Sequence, residues 1–443
     1  MSVVAAARGS LTRPLHRLAA WWGQLDDLVG DALLYALSAL FALSTYIISA
    51  TIAESHWGSL AVIPYSVAAV LAFAASRRHW RSPSTVRLWL LALVILSAMA
   101  MPLVMESRWR ALDPAGNFGQ PEVMVVERAA QALYSGHDPY QAYWHNGHLE
   151  HEIPGVPAYE SFFPYFPLMG IFGLPAAADH HVTGATDARM IMSGITIAAT
   201  ATALWLLRPS RRRRIRVWQL LVALPTGSMF LATGGDDMPI LALCLLGVAL
   251  LKRRSTTSAA VTIATAAAMK LTAWPIALGA LLVTFDQSGR RAFWRMLAWM
   301  AAIGVVTITP LFIADPRTFL ANVIAFPLGL AHVPSPAASD LPGHLVTMVI
   351  PSLGHFFTPL TLLVGGVVLA RYLPLHRPLE VATMLRILAV SSAVIILTAS
   401  APRSGYVIYP LNFWLWARVT SPAVADPRDR DEVSAVPVSA QLA

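Results

Sequence analysis

A single cysteine, Cys244, stands among 443 residues, and it lies inside an apolar run. One thiol forms no disulfide within the chain, and it indicates no thiol metal site. Charge is scarce as well. Only 13% of the residues are Asp, Glu, Lys or Arg, about half the roughly 25% of a soluble domain. The ten-residue alternation of an outer-membrane barrel is missing. The N-terminal stretch holds basic residues but no short apolar segment followed by a cleavage site, so residues 1–28 read as a cytosolic leader. What is abundant is apolar sequence: 56% hydrophobic residues and a mean hydropathy of +0.58, in runs near bilayer length. That combination predicts an all-α polytopic membrane protein. The net charge of +8 comes from Arg residues clustered in short loops at span ends. The positive-inside rule explains them, and no nucleic-acid partner is expected.

Apolar runs and flanking charges place spans at 31–52, 57–75, 84–105, 188–207, 217–232, 238–251, 296–313, 356–372, 379–399 and 406–418. The cytosolic side is marked by Arg77-Arg78-His79-Trp80-Arg81, Arg208 to Arg214, Lys252-Arg253-Arg254 and Arg290-Arg291. This orientation requires 162–178 to be re-entrant or interfacial, not a full crossing. It also makes 257–285, broken at Lys270-Leu271-Thr272-Ala273-Trp274-Pro275, a hairpin that enters and leaves on one face. About 10–12 membrane helices follow, with both termini inside. The expected divisions are the leader 1–28, two extra N-terminal helices in 29–83, a membrane domain in 84–418 and a disordered cytosolic tail in 419–443. Two long outer segments result, 106–161 and 314–355. The unusual polar residues sit on them or at span ends facing them.

The first outer segment is the part that lipid does not explain. Glu122 to Leu133 reads as a helix, with Val123, Val126, Ala130 and Leu133 at three- and four-residue spacing. Pro121 before it suits a helix start, and Glu122 suits the positive end of the dipole. On spacing alone, a helix-start acid is the plainer reading of Glu122. Lys270 in a broken apolar hairpin is costly and by default functional, against the alternative of snorkelling to the interface. Arg403 on the outer side runs against the inside bias, so it pairs with a phosphate or with a carboxylate. Arg128 either faces a site or holds its helix to Asp138. Asp236-Asp237 before Pro239 reads as a helix cap, with a divalent ion bridging to a phosphate as the sharper alternative. His332, His344 and His355 match no compact zinc spacing. His332 and His344 are weighed as phosphate or sugar ligands against solvated loop histidines. The cluster His145, His148, Glu150, His151 and Glu152 reads as a solvated loop rather than a metal patch.

The order of motifs carries more than any one of them. An acid is followed by Val126-Glu127-Arg128-Ala129-Ala130-Gln131-Ala132-Leu133 and then Gly136-His137-Asp138-Pro139-Tyr140. Next come the aromatic turn Phe163-Pro164-Tyr165-Phe166-Pro167-Leu168 and the break Ala268-Met269-Lys270-Leu271-Thr272-Ala273-Trp274-Pro275. This series resembles glycosyltransferase family 87, the polyprenol-phosphate-mannose-dependent α-mannosyltransferases with the GT-C membrane fold. The resemblance spans roughly residues 84–418. The chain departs from the family in having Glu122 where an Asp is usual, and Gly234-Gly235-Asp236-Asp237 where a Gly-Gln-x-Asn turn is usual. The family's Tyr in the loop helix is Val126 or Glu127 here.

The resemblance implies an integral hexosyltransferase in the cell membrane. It would move a sugar, with mannose expected, from a polyprenyl phosphate to a hydroxyl of a lipid-linked or wall glycan, at the outer face and with inversion. By carry-over from the family's Asp, Glu122 is the expected base, with Glu127 and Asp113 next in line. Lys270, Arg403 and Arg128 are the expected contacts of the donor phosphate. Tyr140, His332, His344, Tyr406, Asp236 and Asp237 are the expected sugar or acceptor contacts. No cofactor and no resident metal are expected. Two other readings are a flippase or transporter of polyprenyl-linked sugars, which broken helices also suit, and an inactive relative acting as an assembly partner.

Overall fold

The computed structural model describes residues 26–78, 83–114, 116, 118–145, 148–149, 157–331, 333, 339–399 and 403–421. Most of the expected leader, His79 to Arg81, Glu150 to Glu152, His332, Pro334-Ser335-Pro336 and nearly all of the expected tail lie outside the described residues. The side chains of His145, His148 and His355 do as well.

The chain is a helical membrane protein. Eight helices among the described residues are long and apolar enough to cross a bilayer: Asp27–Ile48, Ile52–Arg77, Pro83–Leu112, Ala188–Leu207, Arg211–Thr233, Leu271–Ala314, Phe356–His376 and Val381–Thr398. Three shorter helices, Asp237–Lys252, Thr256–Ala267 and Ile408–Thr420, lie among them. The extended structure among the described residues is a two-residue antiparallel pairing of Trp144–His145 with His148–Leu149.

One end of the bundle is fixed by charge. Arg87 reaches Asp31 and Asp27, each at 2.7 Å. Arg216 meets Asp31 at 2.6 Å and Arg212 meets Asp27 at 2.8 Å. Charges at this depth must be paired. Their pairing gathers the starts of the Asp27–Ile48, Pro83–Leu112 and Arg211–Thr233 helices at one level. All three run from this basic end toward the opposite one.

Small residues set the spacing of the first two helices. A Cβ on Gly58 would come within 2.6 Å of the Ala42 carbonyl oxygen and the Tyr46 amide nitrogen. Ala61, Ala68 and Ala72 continue the buried stripe, so the backbones approach closely, as packing in lipid favours. Pro225 and the π-helical turn Gln219–Ala223 interrupt the fifth span. Side chains take up the freed carbonyls. Tyr65 donates to Ala223 O at 2.5 Å and Thr226 to Leu220 O at 2.8 Å.

The 41-residue segment Trp274–Ala314 holds two helices that meet at a kink. Gly289, with φ +81°, turns the chain within it, beside the Arg290-Arg291 pair read as a cytosolic turn. The segment before it is the broken hairpin. Thr256–Ala267 forms one arm and the helix from Trp274 the other, with a 3-10 turn at Leu271–Ala273. Lys270 stands at the tip. The 162–178 stretch makes the 3-10 turn Pro167–Gly173 and the six-residue helix Leu174–Asp179, too short to cross. The Phe166 amide donates to Met269 O at 3.0 Å, which docks this segment on the hairpin tip.

Candidate functional site

Three pieces of chain meet the hairpin tip at the end of the bundle opposite the basic cluster. The first is the loop helix Pro121–Tyr134. Gln120 precedes it in extended conformation and Pro121 opens it, so Glu122 sits in the first turn. Two contacts fix that turn: the Gln120 amide donates to Thr233 O at 2.8 Å, and the Gln120 side chain to Glu54 at 2.8 Å. The far side of the same helix is anchored by buried charge. Glu127 accepts from Arg110 at 3.0 Å and from the Ala188 amide at 3.1 Å, while Arg110 also meets Asp187 at 3.2 Å. Glu127, a runner-up for the base, is thus committed to holding the loop helix on the membrane helices. Asp113, the other runner-up, is exposed at the end of the Met101–Leu112 helix.

The second piece is the turn Thr233-Gly234-Gly235-Asp236. Gly234 has φ +121°, and a Cβ there would stand 2.0 Å from Val123 of the loop helix. Only glycine lets the turn pass so close to the loop helix. Asp236 and Asp237 follow at the start of the Asp237–Lys252 helix. Lys270, from the hairpin tip, lies between them at 2.8 Å and 2.7 Å. Its ammonium occupies the position that a bridging cation would take. Tyr409 donates to Asp237, and Thr272 and Tyr409 share a hydrogen bond of 2.7 Å.

The third piece is the 3-10 turn Ser404–Val407 before the last helix. Arg403 leads into it and forms an ion pair with Glu122 Oε1. Tyr406 follows, and its ring faces Lys270 at 5.8 Å, while the Tyr165 ring faces the same ammonium at 5.4 Å. These rings join the two charged groups into one site. Burial and then the charges of Asp236 and Glu122 raise the Tyr165 phenol far above its ordinary range, with Arg403 opposing them. Arg403 is raised in turn, chiefly by Glu122. Glu122, Arg403, Lys270, Asp236, Asp237 and Tyr406 therefore converge, with three carboxylates against two cations.

The other expected site residues are placed differently. Arg128 donates to Glu160 O at 3.0 Å and lies 3.6 Å from the Glu160 carboxylate, neither in the Lys270 group nor on Asp138. Tyr140 is 2% exposed and gives its hydroxyl to Tyr165 O at 2.7 Å, which ties the Gly136-to-Tyr140 turn to the aromatic segment. His344 is half-buried on the Pro342–Val349 helix. Sequence reasoning passed over Tyr165, Tyr409 and Thr272 as site residues. Tyr409 had a signal, since it lies one helical turn beyond Tyr406.

A chain of membrane helices closed at one end over a buried cluster of acids, cations and tyrosines has the architecture of an integral membrane enzyme. Residues 163–400 match glycosyltransferase family 87, which is more than half of the chain, and the protein belongs to that family. The match takes in Lys270, Asp236, Asp237 and Tyr165; Glu122 and Arg403 flank it on either side. No curated protein and no solved structure matches the chain.

Proposed function

We propose that this membrane glycosyltransferase moves a hexose, mannose by family resemblance, from a polyprenyl phosphate to a hydroxyl of a lipid-linked or wall glycan. The observation that carries the proposal is the meeting of the Glu122–Arg403 pair with the Lys270–Asp236–Asp237 group in one place. Transfer with inversion needs a base for the acceptor hydroxyl and cations for the departing phosphate. The converging groups supply both.

Glu122 takes the acceptor proton as the hydroxyl oxygen attacks the anomeric carbon. The bond from that carbon to the phosphate oxygen breaks, and the phosphate leaves with the electron pair. Arg403 is the mobile partner in this scheme. Its side chain is 40% exposed, so an arriving phosphate can reach it. Drawing Arg403 toward the phosphate releases the Glu122 carboxylate to act as base, which couples donor binding to activation. Lys270, held by two carboxylates, sets the electrostatics behind the phosphate and keeps the hairpin tip in place. The Arg clusters at the opposite end support, by the positive-inside rule, an outer-face position for this end.

Glu122→Gln keeps the size of the side chain and removes the base. The variant should lose at least about a hundredfold in transfer rate, the lower range for a general base, while still binding donor. Purified protein, radiolabelled polyprenyl-phosphate mannose and a membrane lipid extract provide the assay. Near-normal transfer by this variant overturns the assignment of Glu122. Wild-type protein that binds donor and never transfers it supports the inactive-relative reading.

A further inference from the structure

The last helix, Ile408–Thr420, carries an exposed apolar stripe that ends in charge. Val407 just before it, then Leu411 and Trp414, are 45%, 40% and 50% exposed. They recur at three- and four-residue spacing and so share one face. Arg418 continues the stripe at the basic end of the bundle, its guanidinium 4.0 Å from the centre of the Trp414 ring. From Val407 to Arg418 the stripe runs on the order of 16 Å at 1.5 Å per residue. That is about half of a roughly 30 Å bilayer core.

Two more guanidiniums reach the same helix end. Arg213, from the start of the Arg211–Thr233 helix, donates to Arg418 O at 2.9 Å. Arg386, from the Val381–Thr398 helix, donates to Ser421 Oγ at 3.2 Å, and that hydroxyl donates to Ala417 O at 2.7 Å. Arg386 and Arg418 are exposed, and Arg213 is half-buried. None of the three has a carboxylate partner among the described residues. Arg87, Arg212 and Arg216, at the same end, are each paired with Asp27 or Asp31. Capping accounts for little of this charge, because a helix C-terminus presents about half a negative charge against three positive ones. Arg213 and Arg386 each commit one nitrogen to the helix end, which leaves their other nitrogens open to an anion.

We infer that this helix end binds the headgroup of an anionic phospholipid, in the leaflet at the basic end of the bundle. The phosphate accepts hydrogen bonds from Arg213, Arg386 and Arg418, and an acyl chain lies along Trp414, Leu411 and Val407. Charge alone would accept any anion; the apolar stripe leading away from the cations specifies a lipid. The bound phosphate ties together three helices whose like charges otherwise repel. The inference is independent of the transferase reading.

The test titrates full-length protein in detergent and counts bound lipid by native mass spectrometry. The probes are dioleoyl phosphatidylglycerol and dioleoyl phosphatidylcholine, matched in their chains and different in charge. The first phosphatidylglycerol should bind at least about tenfold more tightly than phosphatidylcholine. One basic residue beside an anionic lipid is worth about fivefold in affinity. Arg418→Gln should therefore cost about fivefold, and Arg213→Gln with Arg386→Gln and Arg418→Gln on the order of a hundredfold. The single variant changes an exposed side chain, so it carries the test where the triple variant does not fold. Lys252→Gln with Arg253→Gln and Arg254→Gln removes as many charges from exposed positions at another helix end and should keep the preference. Equal binding of the two lipids overturns the inference. So does an equal loss in the Lys252-to-Arg254 variant, or displacement of phosphatidylglycerol by equimolar inorganic phosphate. Asp426, Asp429, Asp431 and Glu432 follow in the sequence and offer a rival occupant. A lipid preference that appears only after these four become Asn or Gln assigns the cations to that acidic segment, and the lipid inference fails.

Discussion

At the residue scale, the group that most needs explaining is Lys270. Its side chain is 9% exposed, and its ammonium lies 2.8 Å from Asp236 and 2.7 Å from Asp237. Such a group is structural and functional at once, and the two roles are separable. Breaking a buried ion pair by removing one partner costs about 3–5 kcal/mol, because the other charges are left behind. Lys270→Met leaves two carboxylates facing each other with only Tyr409 and its neighbours to satisfy them. We expect a large fall in apparent melting temperature in detergent. Replacing the carboxylates as well, Lys270→Met with Asp236→Asn and Asp237→Asn, removes the stranded charge and should recover most of the loss. Sugar transfer should stay absent in the triple variant, because the field behind the phosphate is gone. A triple variant that melts normally and transfers normally would leave Lys270 with no part in the chemistry.

At the element scale, the site depends on how closely a turn can pass a helix. Gly234 puts the Thr233-to-Asp236 turn against Val123, with φ +121° and no room for a Cβ. Gly234→Ala combines an unfavourable backbone angle, on the order of 1–3 kcal/mol, with a clash at 2.0 Å. The turn must back away, carrying Asp236 from Lys270 and the loop helix from its place. Expected results are a lower apparent melting temperature and a loss of transfer larger than stability alone explains, read as activity at a temperature where the variant is still folded. An unshifted melt with full activity contradicts the role given to this turn. The sequence hinted at it through Gly-Gly before paired Asp, and the helices themselves were legible from apolar length. The span expected at 188–207 is the helix Ala188–Leu207, and the break expected at Lys270 to Pro275 is present. Other boundaries were drawn late for a physical reason. The first span begins at Asp27 and the fifth at Arg211. Asp27, Asp31, Arg212 and Arg216 look like flanking charges when read singly and become helix residues only by pairing with one another. The same reason hid Glu160. Nothing in Ala158-Tyr159-Glu160-Ser161 separates a buried carboxylate from a solvated one until the fold brings Arg128 against it.

At the scale of the whole molecule, the two ends of the bundle differ in kind, and this asymmetry turns into an orientation. One end holds Arg87, Arg212 and Arg216 with their acids, and Arg213 donates to Arg418 O at 2.9 Å there. The other end holds the candidate site. If positive charge is retained on the cytosolic side, the proposed site faces outside, where a polyprenyl-linked sugar would be presented. Cys244 makes the orientation easy to test, because the native thiol is 2% exposed and sits within the Asp237–Lys252 helix, out of reach of a charged reagent. Asp113 and Arg253 are exposed at the ends of helices that leave the bundle on opposite sides. Asp113→Cys should react with a membrane-impermeant maleimide on intact cells. Arg253→Cys should react only after the membrane is opened, and the wild type should stay unlabelled in both conditions. The reverse pattern would place the carboxylates and Lys270 in the cytosol. Donor and acceptor would then have to be cytosolic-face molecules, and the helices, the convergence of Glu122 with Arg403 and the family would all stand unchanged.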